Sequence, residues 1–128
     1  MRLNPDCIRD ILRTVEENTD GITPFTYDKD GEGYPYLEAY DHAEIVYHIK
    51  QCGMADLITG YRFFDMGETI LISDLGPNGH EFLANTRKES VWQKTKEVAA
   101  NIGSSSLGAL LQIATSVVSE LITGRFSG

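Results

Sequence analysis

The stretch from Tyr40 to Ile58 constrains the fold most, because a helix start, a helix stop and the entry to a hairpin follow one another there without a gap. Asp41 is an N-cap, its carboxylate placed to accept from a free N–H of the first turn. Glu44, three residues on, completes a capping-box pattern, and Tyr40 and Ile45 occupy the two staple positions. Ile45, Val46, Ile49 and Cys52 recur on one face at helical spacing. Gly53 stands where a left-handed residue closes a helix, and Met54 is then placed to fold back on Ile49. The pattern predicts a helix over His42–Cys52. Thr59–Phe64 and Thr69–Leu75 are rich in strand formers and flank the turn signal Asp65-Met66-Gly67-Glu68, so a two-stranded ribbon follows.

The flanking segments are punctuated in the same way. Asn4 caps a first helix, Pro5 takes its first position and Leu3 staples onto Ile8. Cys7, Ile8, Ile11, Leu12 and Val15 form its apolar stripe, which leaves Arg9, Asp10, Arg13, Glu16 and Glu17 for water. Asn18-Thr19-Asp20-Gly21 ends it. Ile22–Tyr27 reads as strand-like, with Pro24 restricting it to a sheet edge or a short piece. Asp28-Lys29-Asp30-Gly31-Glu32-Gly33 is an exposed loop, and Pro24, Gly31, Gly33 and Pro35 leave room before the central helix only for a hairpin-like excursion or a single turn near Leu37–Tyr40.

After the ribbon, Pro77 opens a helix without a side-chain cap at Gly76. Gly79 lets that helix lie close to the sheet, with Phe82 and Leu83 inward. Ser90 and Gln93 form a capping box for a further helix carrying Val91, Trp92, Thr95, Val98, Ala99 and Ile102, ended by Gly103. Ser104–Ser106 start a last helix from Leu107 to Ile122, stopped by Gly124.

That last helix carries a wide apolar arc, and from Val98 through Gly124 the only charged residue is Glu120. Its uninterrupted apolar character falls short of the roughly 20 residues that a bilayer span needs. The expectation is a helix packed on its own domain and on a second copy of the chain, through Leu107, Leu110, Leu111, Ala114, Val117, Val118 and Leu121. Residues 1–88 are then the main domain and residues 89–128 a helical extension used for dimerisation. Cys7 and Cys52 fall on buried faces and read as reduced core residues. The N-terminus has no apolar run of the secretory kind, so a cytoplasmic location is expected.

Little points to catalysis. His42 and His48 lie on different faces of their helix, and His80 lies on another element. No CxxC, HExxH, nucleophile elbow, phosphate loop or dinucleotide fingerprint occurs. Neither an enzyme nor a metal or other cofactor is expected. Asp28–Gly33 shares the opening of an EF-hand loop, but Ala39 stands where the twelfth-position Glu is needed and Pro35 breaks the middle, so it reads as a solvated loop.

Helix, then ribbon, then helix resembles a winged helix-turn-helix, with His42–Cys52 as the recognition-type helix and the ribbon as the wing. The resemblance implies an α+β fold: helix, short strand, recognition-type helix, two-stranded wing, then C-terminal helices. It makes Tyr47, His48, Lys50, Gln51 and Arg62 the candidate DNA contacts: Lys50 and Gln51 for base edges, Tyr47 or His48 for phosphates, and Arg62 on the ribbon for a minor groove or the backbone. Charge opposes this. The chain carries −8 overall, and from Asp41 to Glu68 five acids face two bases, Lys50 and Arg62. The segments Leu3–Leu12, Val46–Ile49, Gly79–Leu83 and Trp92–Lys96, with the Ser- and Leu-rich tail, resemble the bacterial and prophage domain-of-unknown-function family 2513. That likeness implies a bacterial or phage protein and carries over no functional residue. The expected function is a dimeric DNA-binding regulator with half-sites about one helical turn apart, because the scaffold most often serves that role; the alternative is a protein–protein interaction module on the same scaffold that binds no DNA.

Overall fold

The computed structural model describes residues 1–103 and 106–127. Among them lie five helices and five short strands in a mixed α+β arrangement: α1 (Pro5–Asn18), β1 (Phe25–Asp28), α2 (His42–Met54), β2 (Ile58–Thr59), β3 (Arg62–Phe64), β4 (Thr69–Ile72), β5 (Asp74–Leu75), α3 (Pro77–Thr86), α4 (Glu89–Ile102) and α5 (Leu107–Ser127). A 3-10 turn at Pro35–Leu37 occupies the space between β1 and α2. One hydrophobic core runs from Cys7 in α1 to Val117 in α5. The boundary drawn at residue 88 falls inside that core, because Trp92 of α4 packs edge-on against Phe82 of α3 and donates its indole N–H to Asp6 of α1 at 2.9 Å.

Helix α1 begins as its sequence dictates, with the Asp6 N–H donating to Asn4 Oδ1 at 3.1 Å and the stripe Cys7, Ile8, Ile11, Leu12, Val15 wholly buried. Arg9 departs from expectation, being buried instead of solvated. Its guanidinium donates to the carbonyls of Thr86 (2.9 Å) and Arg87 (3.5 Å), pairs with Glu89 at 3.3 Å and lies 5.3 Å from the Trp92 ring. The end of α3 leaves carbonyls without helical partners and a partial negative charge, and Arg9 supplies both the donors and the countercharge.

Helix α2 starts at its Asp41 cap, whose Oδ1 accepts from the Glu44 N–H at 2.8 Å. It ends later than expected. Gly53 stays helical, and its missing Cβ leaves room for the ring of Tyr61 against the helix. The stop comes three residues on, where Asp56 takes the left-handed conformation (φ 58°). The Leu57 N–H then donates to the Cys52 carbonyl at 2.9 Å and the Asp56 N–H to the Gly53 carbonyl at 3.3 Å, the Schellman pattern. Met54 is thrown outward, 68 % exposed, instead of folding onto Ile49.

The ribbon holds one register throughout, Ile58 opposite Leu75 and Phe64 opposite Thr69, but its ladder is interrupted at Gly60 and Ser73. The outer half joins β1 in a three-stranded antiparallel sheet of order β1-β4-β3, with β1 at the edge that Pro24 demands. The inner half, β2-β5, sits under α3. There a Cβ on Gly76 or Gly79 would collide with the carbonyls of Asp56 and Leu57, so α3 lies against backbone.

The last two helices differ from expectation in their starts and stops. Helix α4 opens at Glu89, one residue before the capping-box Ser90, and the Gln93 amide donates to Glu89 Oε1 at 2.8 Å. Gly103 closes it in the left-handed conformation, as expected. Ser104 and Ser105 lie outside the described residues, while Ser106 Oγ accepts from the Ala109 N–H at 3.1 Å. Helix α5 passes through Gly124 instead of stopping there. Of the residues assigned to a dimer contact, Leu107, Leu110, Ala114 and Val117 are buried within the same chain, on the side of α5 that meets α3 and α4. Leu111 and Val118 are partly covered, and Leu121 is exposed.

Candidate interaction surface

The side of α2 that faces the ribbon is laid out by three contacts. Tyr61 rests on Gly53, the Lys50 ammonium lies 5.4 Å from the Phe63 ring, and Val46 comes against Gly67. Helix positions 53, 50 and 46 thus meet ribbon positions 61, 63 and 67, so the strand runs antiparallel to the helix along its flank. The ribbon tip ends beside the first half of α2.

The five sequence-predicted residues do not share one surface. His48 is buried and spent: the Asn4 backbone N–H donates to its Nε2 at 2.8 Å, and its Nδ1–H donates to the Glu44 carbonyl at 2.7 Å. It fastens the start of α1 to the middle of α2 and contacts no outside ligand, which corrects its place among the DNA contacts. Glu44 serves the same joint, its Oε1 accepting from Asn4 Nδ2 at 3.1 Å instead of capping Asp41. Tyr47 is half-buried edge-on against His48, Gln51 is half-buried, and Lys50 and Arg62 are exposed. His80 is exposed on α3.

Several cations elsewhere are held by carboxylates. Arg87 makes a two-pronged pair with Glu16 at 2.8 and 2.9 Å, Lys96 pairs with Asp6 at 3.0 Å and Arg13 with Asp10 at 3.3 Å. The Arg87 guanidinium also holds the Glu16 carboxyl below the ordinary carboxylate range.

The ribbon tip has a different character. Asp65, Met66 and Gly67 are all left-handed, with φ of 50°, 57° and 94°. For the two residues with a Cβ this conformation costs about 1–2 kcal/mol each. The tip presents Met66 fully to solvent and Phe64 at 47 % exposure, with Asp65 and Glu68 beside them.

Beside the tip lies a cleft of about 520 Å³ between the Asp28–Gly33 loop and the start of α2. The loop and the tip are joined by the Lys29 N–H donating to the Glu68 carbonyl at 2.8 Å. Aromatic rings line the cleft. Tyr27 is stacked on His42 with their centroids 5.7 Å apart and its hydroxyl 2.9 Å from His42 Nδ1, and Tyr34 leans on Tyr27 at 5.4 Å. The Tyr34 hydroxyl donates to the Thr26 carbonyl and accepts from the Asp28 N–H, which pulls the loop over its ring. Gly31 permits that approach, because a Cβ there would strike the same hydroxyl. Burial, with Tyr34 and Asp30 nearby, pushes the Tyr27 phenol up, and burial with the hydrogen bond to Asp10 does the same to Tyr40, so both remain neutral.

No motif in the sequence marks this cleft. Its signal was the placement of four of the six tyrosines between positions 27 and 40, around a Gly-x-Gly loop. Among the described residues no three His, Cys, Asp or Glu side chains gather as a metal site.

No curated protein and no solved structure matches the chain. Residues 2–106 match the family described as Hypothetical protein (DUF2513), a span that takes in α1 through α4 and both the cleft and the ribbon. The chain belongs to that domain-of-unknown-function family.

Proposed function

We propose that this chain is a protein-binding module on a winged-helix-like scaffold, engaging its partner through the ribbon tip and the adjoining face of α2. The scaffold reading is supported by the order of helix, strand, turn, helix and ribbon, with β1 pairing to the returning ribbon strand. The observation that carries the functional reading is the tip itself. Met66, on strained left-handed backbone between Asp65 and Glu68, and Phe64, on the extended strand just before it, are held out to solvent where a DNA-binding wing needs cations. Large exposed apolar side chains grouped at one place mark contacts with other proteins. Lys50 and Arg62 alone would give a salt-dependence slope of about −2 on duplex DNA, against the six to ten phosphate contacts of an ordinary binder.

The test places a photo-crosslinking residue at position 66 and, as control, at exposed Ala84, and pairs this with anisotropy titrations on duplex DNA at low salt. A protein adduct formed from position 66 and not from 84, and lost with Phe64→Glu, is the expected result. Salt-sensitive DNA binding lost in Lys50→Ala and Arg62→Ala would establish the regulator reading instead.

We also propose a second copy of the chain as partner of the far end of α4 and α5. Ile102, Leu121 and Ile122 are 65 %, 52 % and 52 % exposed, and Glu120 is the single charged residue from Val98 to Gly124, so a symmetric contact sets little charge against itself. The segment Leu107–Gly124 is long and apolar enough to cross a bilayer, with mean hydropathy 1.4. Insertion would strip Leu107, Leu110, Ile113, Ala114 and Val117 from the core, which favours the dimer. Light scattering should give a dimer that Leu121→Glu with Ile122→Glu converts to monomer; a wild-type monomer that sediments with lipid vesicles refutes this.

A further inference from the structure

We propose that the cleft beside the ribbon tip receives a lysine or arginine side chain of the protein partner. This deepens the protein-binding reading and rests on it for the source of the side chain. Three features select a cation. The rim carries Asp28, Glu32 and Glu38 against the single ammonium of Lys29. The wall is aromatic, formed by half-buried Tyr34 and His42 over the buried Tyr27, and a cation against the Tyr34 ring is attracted by its quadrupole. The Tyr27 hydroxyl is matched to His42 and the Tyr34 hydroxyl to the Thr26 carbonyl and Asp28 N–H, so these polar groups keep their partners when a ligand enters.

Size and placement agree with this occupant. A volume of about 520 Å³ is within the range of small-ligand sites and accepts a long side chain with its stem. The Lys29–Glu68 backbone bond sets the cleft against the tip, so a segment lying over Met66 has its next side chains above the rim. An anionic group would meet three carboxylates and one ammonium. A purely apolar one would leave those carboxylates partly desolvated without a partner.

The test is a two-dimensional NMR titration of the intact protein with Nα-acetyl-arginine amide, Nα-acetyl-lysine amide and Nα-acetyl-glutamine amide. The cationic probes should shift the amides of residues 27–34 and 42–45 with dissociation constants on the order of 1 mM. Glu32→Gln with Glu38→Gln, both exposed, should weaken them at least about fivefold while leaving the remaining resonances in place. Equal shifts from the glutamine probe, or no shift from any probe at about ten times that concentration, overturn the inference. The two readings separate cleanly. A crosslink at position 66 without cation binding overturns the cleft assignment alone. Cation binding without the crosslink overturns the protein-binding reading and leaves a cation site.

Discussion

Replacing His48 with alanine should be among the most damaging single changes in this fold. The imidazole is wholly buried, and both of its nitrogens are engaged between α1 and α2. Deleting it removes two hydrogen bonds, worth about 0.5–1.5 kcal/mol each, and strands the Asn4 N–H, which adds about 1–3 kcal/mol. The vacated space adds a packing loss of the kind seen when core side chains are truncated. Allowing for overlap between these terms, the expected loss is about 3–5 kcal/mol, out of the roughly 5–15 kcal/mol that holds a domain together. In melting temperature this is about 10–20 °C for a chain of this size. Trp92 is the sole tryptophan and is 1 % exposed, so its fluorescence in a urea titration reports loss of the α1–α3–α4 junction directly. Lys50→Ala, two positions along and exposed, is the control and should stay within about 0.5 kcal/mol of wild type. A His48→Ala variant within about 1 kcal/mol of wild type would show that the bridge between Asn4 and Glu44 is not what joins the two helices.

Three further outcomes can be checked on the same material. Gly79→Ala should cost about 2 kcal/mol, because its Cβ meets the Leu57 carbonyl, whereas Gly108→Ala has open space and should gain about 0.5–1 kcal/mol; urea titrations giving both changes the same sign would refute the packing argument. Burial pushes the Cys7 and Cys52 thiols well up, so neither should react with a disulfide reagent until the protein unfolds; rapid native labelling would contradict their placement. Glu16 is lowered from its ordinary 4.5, first by its hydrogen bond from Arg87, so folding favours its ionised form. The stability this pair contributes is present above 4.5 and lost as pH falls through the lower folded value. Relative to Arg87→Gln the wild type should therefore lead by less than about 1 kcal/mol near neutrality, the pair being solvent-screened, and by nothing in acid; a lead that grows on acidification refutes the assignment.

Local signals carried far in this chain. The caps at Asn4 and Asp41 depend on chemistry within a few residues, and both are present in the structure. Pro24 and Gly79 mark by residue type alone where an edge strand and a close backbone approach are permitted, and both occur there. What went unread depends on partners far along the chain. Gly53 looks like a stop, but its missing Cβ leaves room for Tyr61 against the helix. Arg9 looks solvated until the end of α3, about 80 residues on, offers it carbonyls. His48 has the spacing of an exposed contact, and only the arrival of Asn4, 44 residues away, uses up its ring. The cleft was hidden for the same reason: its two walls come from β1 with its loop and from α2, and no periodicity links them.

The short backbone bridge from Lys29 to Glu68 has a consequence for how this surface responds to occupancy. Whatever immobilises the loop also steadies the turn that displays Met66, and the reverse holds. By thermodynamic reciprocity, an occupant at either place alters the affinity at the other by one common factor. A partner supplying both an apolar anchor and a basic side chain would bind more tightly than its two halves predict. A partner supplying one alone would leave the neighbouring half primed for a second.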